Sequence, residues 1–253
     1  MTKLAVGAQH VLALMSTGSV FSWGDDEQQQ LGRRRRSRLY ESLPLAPDQC
    51  ALPPDVVDIG AGSYHSFAVR KSGAVYAWGS NNFGQTGITM SAGQSNAIVP
   101  YPTEIRNLRG RGHARIVSIV GGKDHSIALT EQCRCLTWGR IDNKALGMGL
   151  EDMAQSEIVF DSYGKPRILK SPTIVPEIGE AVFATAGTDH SFAVTKQGRI
   201  YSWGFNEQHQ AGHIGDDEIV RPTIVQSKYL EGKKVVSAAA GGQFSIIVGE
   251  YSS

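Results

Sequence analysis

The chain has 253 residues, 41% of them hydrophobic and 19% charged, which is enough apolar material for one large domain or two ordinary ones and excludes a disordered chain. Twenty-five Lys and Arg offset 24 Asp and Glu, a net charge of +1, so no global field draws the surface to nucleic acid or an anionic membrane. Three cysteines, Cys50, Cys133 and Cys135, with no C-x-x-C pair argue against a disulfide framework and a structural zinc site, and fit a reducing compartment, cytosol or nucleus.

The chain opens with MTKLAVGAQHVLALM, where Gln9 and His10 interrupt the apolar run and no small-residue cleavage site follows, so a secretory signal is rejected. No stretch reaches the 18 to 20 apolar residues of a membrane helix, and a soluble chain is expected. The same opening begins a repeat. GAQHVLALMSTGSVFSWGDDEQQQLG returns as GSYHSFAVRKSGAVYAWGSNNFGQTG, GKDHSIALTEQCRCLTWGRIDNKALG and GTDHSFAVTKQGRIYSWGFNEQHQAG. The copies cover approximately residues 6–32, 61–87, 121–147 and 186–212, with a partial fifth at 240–248 that has Phe244 in the histidine place. His10, His65, His125 and His190 each precede a tryptophan by 13 residues, and Trp23, Trp78, Trp138 and Trp203 each precede a glycine by 9.

Within a copy, S-F-A-V and I-Y-S-W are short runs of β-formers with period-two alternation, which predicts a hairpin. Gly18, Gly73 and Gly198 supply the positive φ of its turn, and Cys133 takes that place in the third copy, where an altered turn is expected. Cys133 and Cys135, two apart on a strand, are expected on one packed face. Between copies, P-T-E-I, P-T-I-V and R-P-T-I-V read as an edge strand opened by proline. The four histidines and Phe244 lie 55, 60, 65 and 54 residues apart. A period averaging 58.5 residues, rich in strands and glycine turns, predicts an all-β chain of four-stranded propeller blades, solenoid coils being usually shorter.

G-x-x-H-S-x-A-[LV], then x-W-G and the closing glycine, resembles the repeats of the regulator of chromosome condensation family from Val6 to Val248. Within that family GRIDNKALGM, the insert EIVFDSYGKPRILKSPTIVP and the ending AGGQFSIIVG are most similar to fungal exchange factors for the small GTPase Ran. The resemblance implies a seven-bladed ring of about 410 residues, of which this chain supplies about four blades; a single, incomplete propeller segment over 1–253 is expected, a C-terminal part whose exposed flanks favour aggregation. It implies a nuclear protein that promotes GDP release by stabilising the nucleotide-free GTPase, with no covalent catalysis. A β-wedge from a blade N-terminal to this segment is implied for full exchange, so the chain alone is expected to have little. A propeller module that only binds other proteins is the alternative.

Site candidates follow from the repeat. The four histidines read first as hydrogen-bonded parts of the blade turn. The residues before them gather on one face, where the resemblance implies GTPase contacts at Asp124 and His125, then Asp189 and His190, with Tyr64, His65, Gln9 and Gln243 at equivalent places. Arg33 matches an arginine of the exchange factors and begins RRRRSR. Arg33, Arg34, Arg35, Arg36 and Arg38 leave three readings open: a solvated loop, phosphate contacts with DNA or nucleosomes, or a nuclear-import signal. GGKDHS lacks the Walker spacing and helix. His209 and His213 lie in a predicted loop without H-E-x-x-H, and neither a metal nor a cofactor is expected.

Overall fold

A computed structural model describes residues 1–33, 46–108 and 114–251. The alternation read from the repeat becomes strands throughout. β1 (Lys3–Val6), β2 (His10–Leu14), β3 (Val20–Gly24) and β4 (Asp48–Gln49) form the first sheet in that order. β5 (Val56–Ala61), β6 (His65–Arg70), β7 (Val75–Ser80) and β8 (Ile98–Glu104) form the second. The third has β9 (Ile116–Gly121), β10 (His125–Thr130) and β11 (Cys135–Arg140), then a hairpin of β12 (Ile158–Phe160) and β13 (Pro166–Ile174), with β13 against β11 and β12 outermost. β14 (Ala181–Ala186), β15 (His190–Thr195), β16 (Ile200–Phe205) and β17 (Glu218–Ile224) make the fourth, and β18 (Lys233–Ala240) with β19 (Ser245–Tyr251) a two-stranded fifth. All pairings are antiparallel, and the first, second and fourth sheets are meanders from an inner strand outward, whereas in the third the chain passes to the outermost β12 before returning to β13. The result is a β-propeller architecture with four full blades.

Apolar side chains fill the spaces between successive sheets. Leu12 and Val20 meet Ile59 and Trp78; Phe67 and Ala77 meet Ile119 and Trp138; Ile127 and Leu129 meet Ala193 and Trp203; Phe192 and Val194 meet Val235 and Ala238. The two end sheets expose apolar residues instead: Val6 is 67% exposed at one end, and Phe244 and Ile246 are 62% and 57% exposed at the other. No helix among the described residues is long and apolar enough to cross a membrane.

Three expectations change. The third hairpin turn is not altered: Cys133 adopts φ +60°, beside +80°, +82° and +77° at Gly18, Gly73 and Gly198, and its amide meets Thr130 O at 2.9 Å as Gly73 N meets Arg70 O at 2.8 Å. The turn geometry is set by the two strands it must join, so the cysteine accepts the left-handed conformation. Cys133 therefore does not share a strand face with Cys135; the former sits in the turn, half-buried, and only the latter is in the core. The prolines do not open the outer strands but lie inside them. Pro102, Pro172 and Pro222 sit where the register slips between Ala77/Gly79, Thr137/Gly139 and Ser202/Gly204, opposite the tryptophans. A bulge leaves residues unpaired, so a residue without N–H costs nothing there.

Candidate functional site

The histidines join blades. His10 Nε2 is 2.8 Å from Ser66 Oγ in the next blade, His65 3.0 Å from Ser126, His125 2.9 Å from Ser191 and His190 2.8 Å from Ser245. Each serine hydroxyl donates onward to a carbonyl two residues before the closing glycine of the preceding blade's loop: Ser66 to Gln30 O at 2.8 Å, Ser126 to Gln85 O at 2.7 Å, Ser191 to Ala145 O at 3.0 Å and Ser245 to Gln210 O at 2.8 Å. The serine proton being spent on the carbonyl, the imidazole must carry its own proton on Nε2 and donate it. Trp78, Trp138 and Trp203 send their indole N–H groups to the same Gln30, Gln85 and Ala145 carbonyls at 2.8, 2.9 and 2.7 Å. Both lone pairs of one carbonyl are thus used.

This clasp explains the glycine that begins every copy. A Cβ at Gly62 would lie 2.0 Å from the His65 ring and 2.5 Å from Gly122 O of the next blade, so no side chain fits. It also fixes the charge state. Burial lowers the pKa of His10, His125 and His190 to about 4 and that of His65, further depressed by the neighbouring histidines, to about 3. In each ring Nδ1 is buried without a partner, so protonation there would place an unpaired donor and a charge inside the protein.

The candidates therefore separate into two layers. His65, His125 and His190 have no exposed surface and are committed to the next blade, which places them beneath the surface rather than on it. The residues before them share the end of the propeller where Gly24, Gly79, Gly139 and Gly204 turn back, since Asp25 N, Ser80 N, Arg140 N and Phe205 N bond to the carbonyls of Gln9, Tyr64, Asp124 and Asp189 at 2.8, 2.8, 2.9 and 2.8 Å. Gln9 and Gln243 are exposed, Tyr64 and Asp189 partly so, and Asp124 is buried to 8% exposure. Arg33 lies elsewhere in the first blade, its guanidinium bonded to the Ser22 carbonyl and, at 2.7 Å, to Ala46 O. Arg34, Arg35, Arg36 and Arg38 lie outside the described residues.

Around Asp124 the structure assembles groups that the repeat pattern did not single out. Arg140 Nη1 is 3.4 Å from Asp124 Oδ2, and the same guanidinium also binds Asp142. Burial pushes the Asp124 carboxyl above its ordinary value against the pull of Arg140 and Lys123. Burial also acts on Asp142, but its hydrogen bond and charge pairing with Arg140 prevail and hold its carboxyl below the usual range. Asn143 Nδ2 donates to Asp189 Oδ1 at 2.9 Å, tying the third blade to the fourth. Phe83 of the second blade is stacked on by two guanidinium groups, its ring centroid 4.9 Å from Arg140 Cζ and 4.8 Å from Arg167 Cζ. These residues sit at non-repeating places after W-G, so only the fold brings them together.

No group of three or more His, Cys, Asp and Glu positioned for a metal occurs among the described residues. His213 Nε2 faces Ser202 Oγ of β16 at 2.8 Å and His209 Nδ1 the His213 carbonyl at 3.1 Å, so the two rings turn to different partners. Burial raises the thiols of Cys50 and Cys135 to about 11 and about 12, so both are inert. The site offers charged and amide groups on one face, the kinds of group that serve non-covalent recognition.

The profile of the RCC1-like domain family matches residues 1–247. The chain is 42% identical over 251 residues to Protein pim1 of Schizosaccharomyces pombe, covering 98% of this chain and 45% of that protein. It is 32% identical over 246 residues to the guanine nucleotide exchange factor SRM1 of Saccharomyces cerevisiae, covering 96% and 49%. The crystal structure of Prp20p from Saccharomyces cerevisiae, described together with its binding to Gsp1p and histones, superposes with a TM-score of 0.89 at 31% identity over 99% of this chain and 56% of that one. The chain spans about half the length of the curated relatives it matches.

Proposed function

The chain belongs to the RCC1-like domain family, and from that premise we propose that it acts as part of a guanine-nucleotide exchange factor for the small GTPase Ran. The observation that carries the reading is the placement of Asp124 and Asp189, two of the positions for which the family resemblance implies GTPase contacts, at one end of the propeller, Asp124 paired with Arg140, which also holds Asp142, and Asp189 bonded to Asn143. Such a protein works by linkage. It binds the nucleotide-free GTPase more tightly than the loaded form, and each tenfold of that preference, about 1.4 kcal/mol, weakens nucleotide binding tenfold in return. The face contributes preformed polar groups whose geometry the clasped blades fix in advance. That lowers the ordering cost of docking.

The reading includes a nuclear location and a chromatin contact through the RRRRSR loop, for which the family resemblance and the loop's charge are the support. The decisive experiment immobilises the chain and measures nucleotide-free Ran against GDP-loaded Ran, with release of a fluorescent GDP analogue in parallel. The expected result is preferential capture of the nucleotide-free form, with release far below that of a full-length exchange factor. Absence of binding to either form would favour a propeller module for other protein partners, and full-rate release would show that the wedge expected from another blade is not needed.

A further inference from the structure

The third blade differs from its neighbours by the β12–β13 hairpin. β13 pairs with β11 up to Ile168 opposite Arg140, and the hairpin continues past that last pair through Phe160 opposite Pro166. Its last backbone bond to the blade is Ile141 N to Arg167 O at 2.9 Å, so the turn at residues 161–165 overhangs by about two residues, roughly 7 Å at 3.3 Å per residue, at the end that bears Asp124 and Arg140. The turn is built to hold its shape. Asp161 N bonds to Lys165 O at 3.0 Å, Asp161 Oδ1 accepts from Tyr163 N and Lys165 N at 2.9 Å each, and Gly164 supplies φ +76°. The base is seated on the second blade, where Val159 and Ile168 close over Gly93 and a side chain at Gly84 would strike Ile168. Arg167 stacks on Phe83 of that blade.

What this braced hairpin presents is unusual for a solvated loop. Tyr163 is 94% exposed at the tip and Phe160 44% exposed beside it, while Lys165 and Arg167 are exposed and Arg167 makes no ion pair among the described residues. Exposed aromatic side chains beside an arginine on a braced turn are the composition of an interface anchor, because the backbone that carries them is ordered before binding. The hairpin is also continuous with the candidate face: Lys165 acts on Asp142, which pairs with Arg140, which pairs with Asp124.

We propose that the β12–β13 hairpin is a preformed arm that grips the side of the GTPase docked over Asp124 and Asp189, Tyr163 and Phe160 packing on an apolar patch and Lys165 and Arg167 meeting an acidic segment of it. This rests on the Ran-binding reading above. The test is the affinity of the chain for nucleotide-free Ran after Tyr163→Ser and, separately, Lys165→Glu. Tyr163 touches almost nothing in the free chain, so both variants keep the wild-type urea midpoint while Kd rises about tenfold. A photoreactive benzophenone side chain at position 163 crosslinks to Ran. If the wild-type chain binds Ran and both variants bind equally well without a crosslink, the arm is refuted while the Ran reading stands. If the wild-type chain does not bind Ran, the reading itself fails and the arm's assignment falls with it.

Discussion

Acid should dismantle this propeller through its four clasp histidines. In the folded chain His10, His125 and His190 titrate at about 4 and His65 at about 3, while the unfolded chain takes up protons near the ordinary value of about 6.5. Because the folded state binds fewer protons between those limits, the stability due to the neutral rings is fully present above about pH 6.5 and is lost as pH falls toward 4. Each ring contributes about 2 kcal/mol of loss by pH 5, so four give about 8 kcal/mol, comparable with the whole stability of a typical domain, about 5 to 15 kcal/mol. The limiting slope for four protons is about 5 kcal/mol per pH unit. Urea unfolding followed by tryptophan fluorescence at intervals from pH 7 to pH 5 measures it, above the range in which most carboxylates titrate. His190→Phe, which places in the fourth blade the residue that Phe244 supplies in the fifth sheet, should reduce the slope by about one proton. A slope worth less than one proton across that window would refute the buried, neutral assignment.

The indole hydrogen bond should be worth most where a preceding blade provides its acceptor. Trp138→Phe removes a fully buried indole and its bond to Gln85 O and should cost about 2 to 4 kcal/mol, whereas Trp23→Phe, at a half-buried indole with no bond among the described residues, should cost under about 1 kcal/mol; equal shifts in the urea midpoint would contradict the clasp. Cys133→Gly relieves a left-handed conformation that glycine adopts freely and should raise stability by about 0.5 to 1 kcal/mol, with a lower midpoint counting against the turn geometry.

The tryptophan and histidine spacing was readable because one hairpin is repeated and each repeat meets an identical neighbour. The same regularity made the glycines, the hairpin turns and the all-β architecture plain. Reading went astray where local and tertiary demands differ. Cys133 looked like a broken turn, since sequence cannot show that the flanking strands impose φ +60° whatever residue is present. Pro102, Pro172 and Pro222 looked like strand starts, because a bulge is a property of the pairing and not of either strand alone.

Sequence by itself determined the repeat, its propeller blades, the family, and the two acidic positions on one face. It placed the histidines in the turns, yet their role lay in Ser66, Ser126, Ser191 and Ser245 some 55 to 66 residues away, a distance at which only blade packing creates a partner. Tertiary structure alone decided that these histidines lie under the surface, that Asp124 is buried against Arg140 and that Asp189 stays partly exposed. It also built the network of Arg140, Asp142, Asn143, Phe83 and Arg167, and raised the β12–β13 hairpin beside that network. The physical reason is the same in each case: a repeat encodes what every blade shares, and a binding face is made from the residues in which neighbouring blades differ.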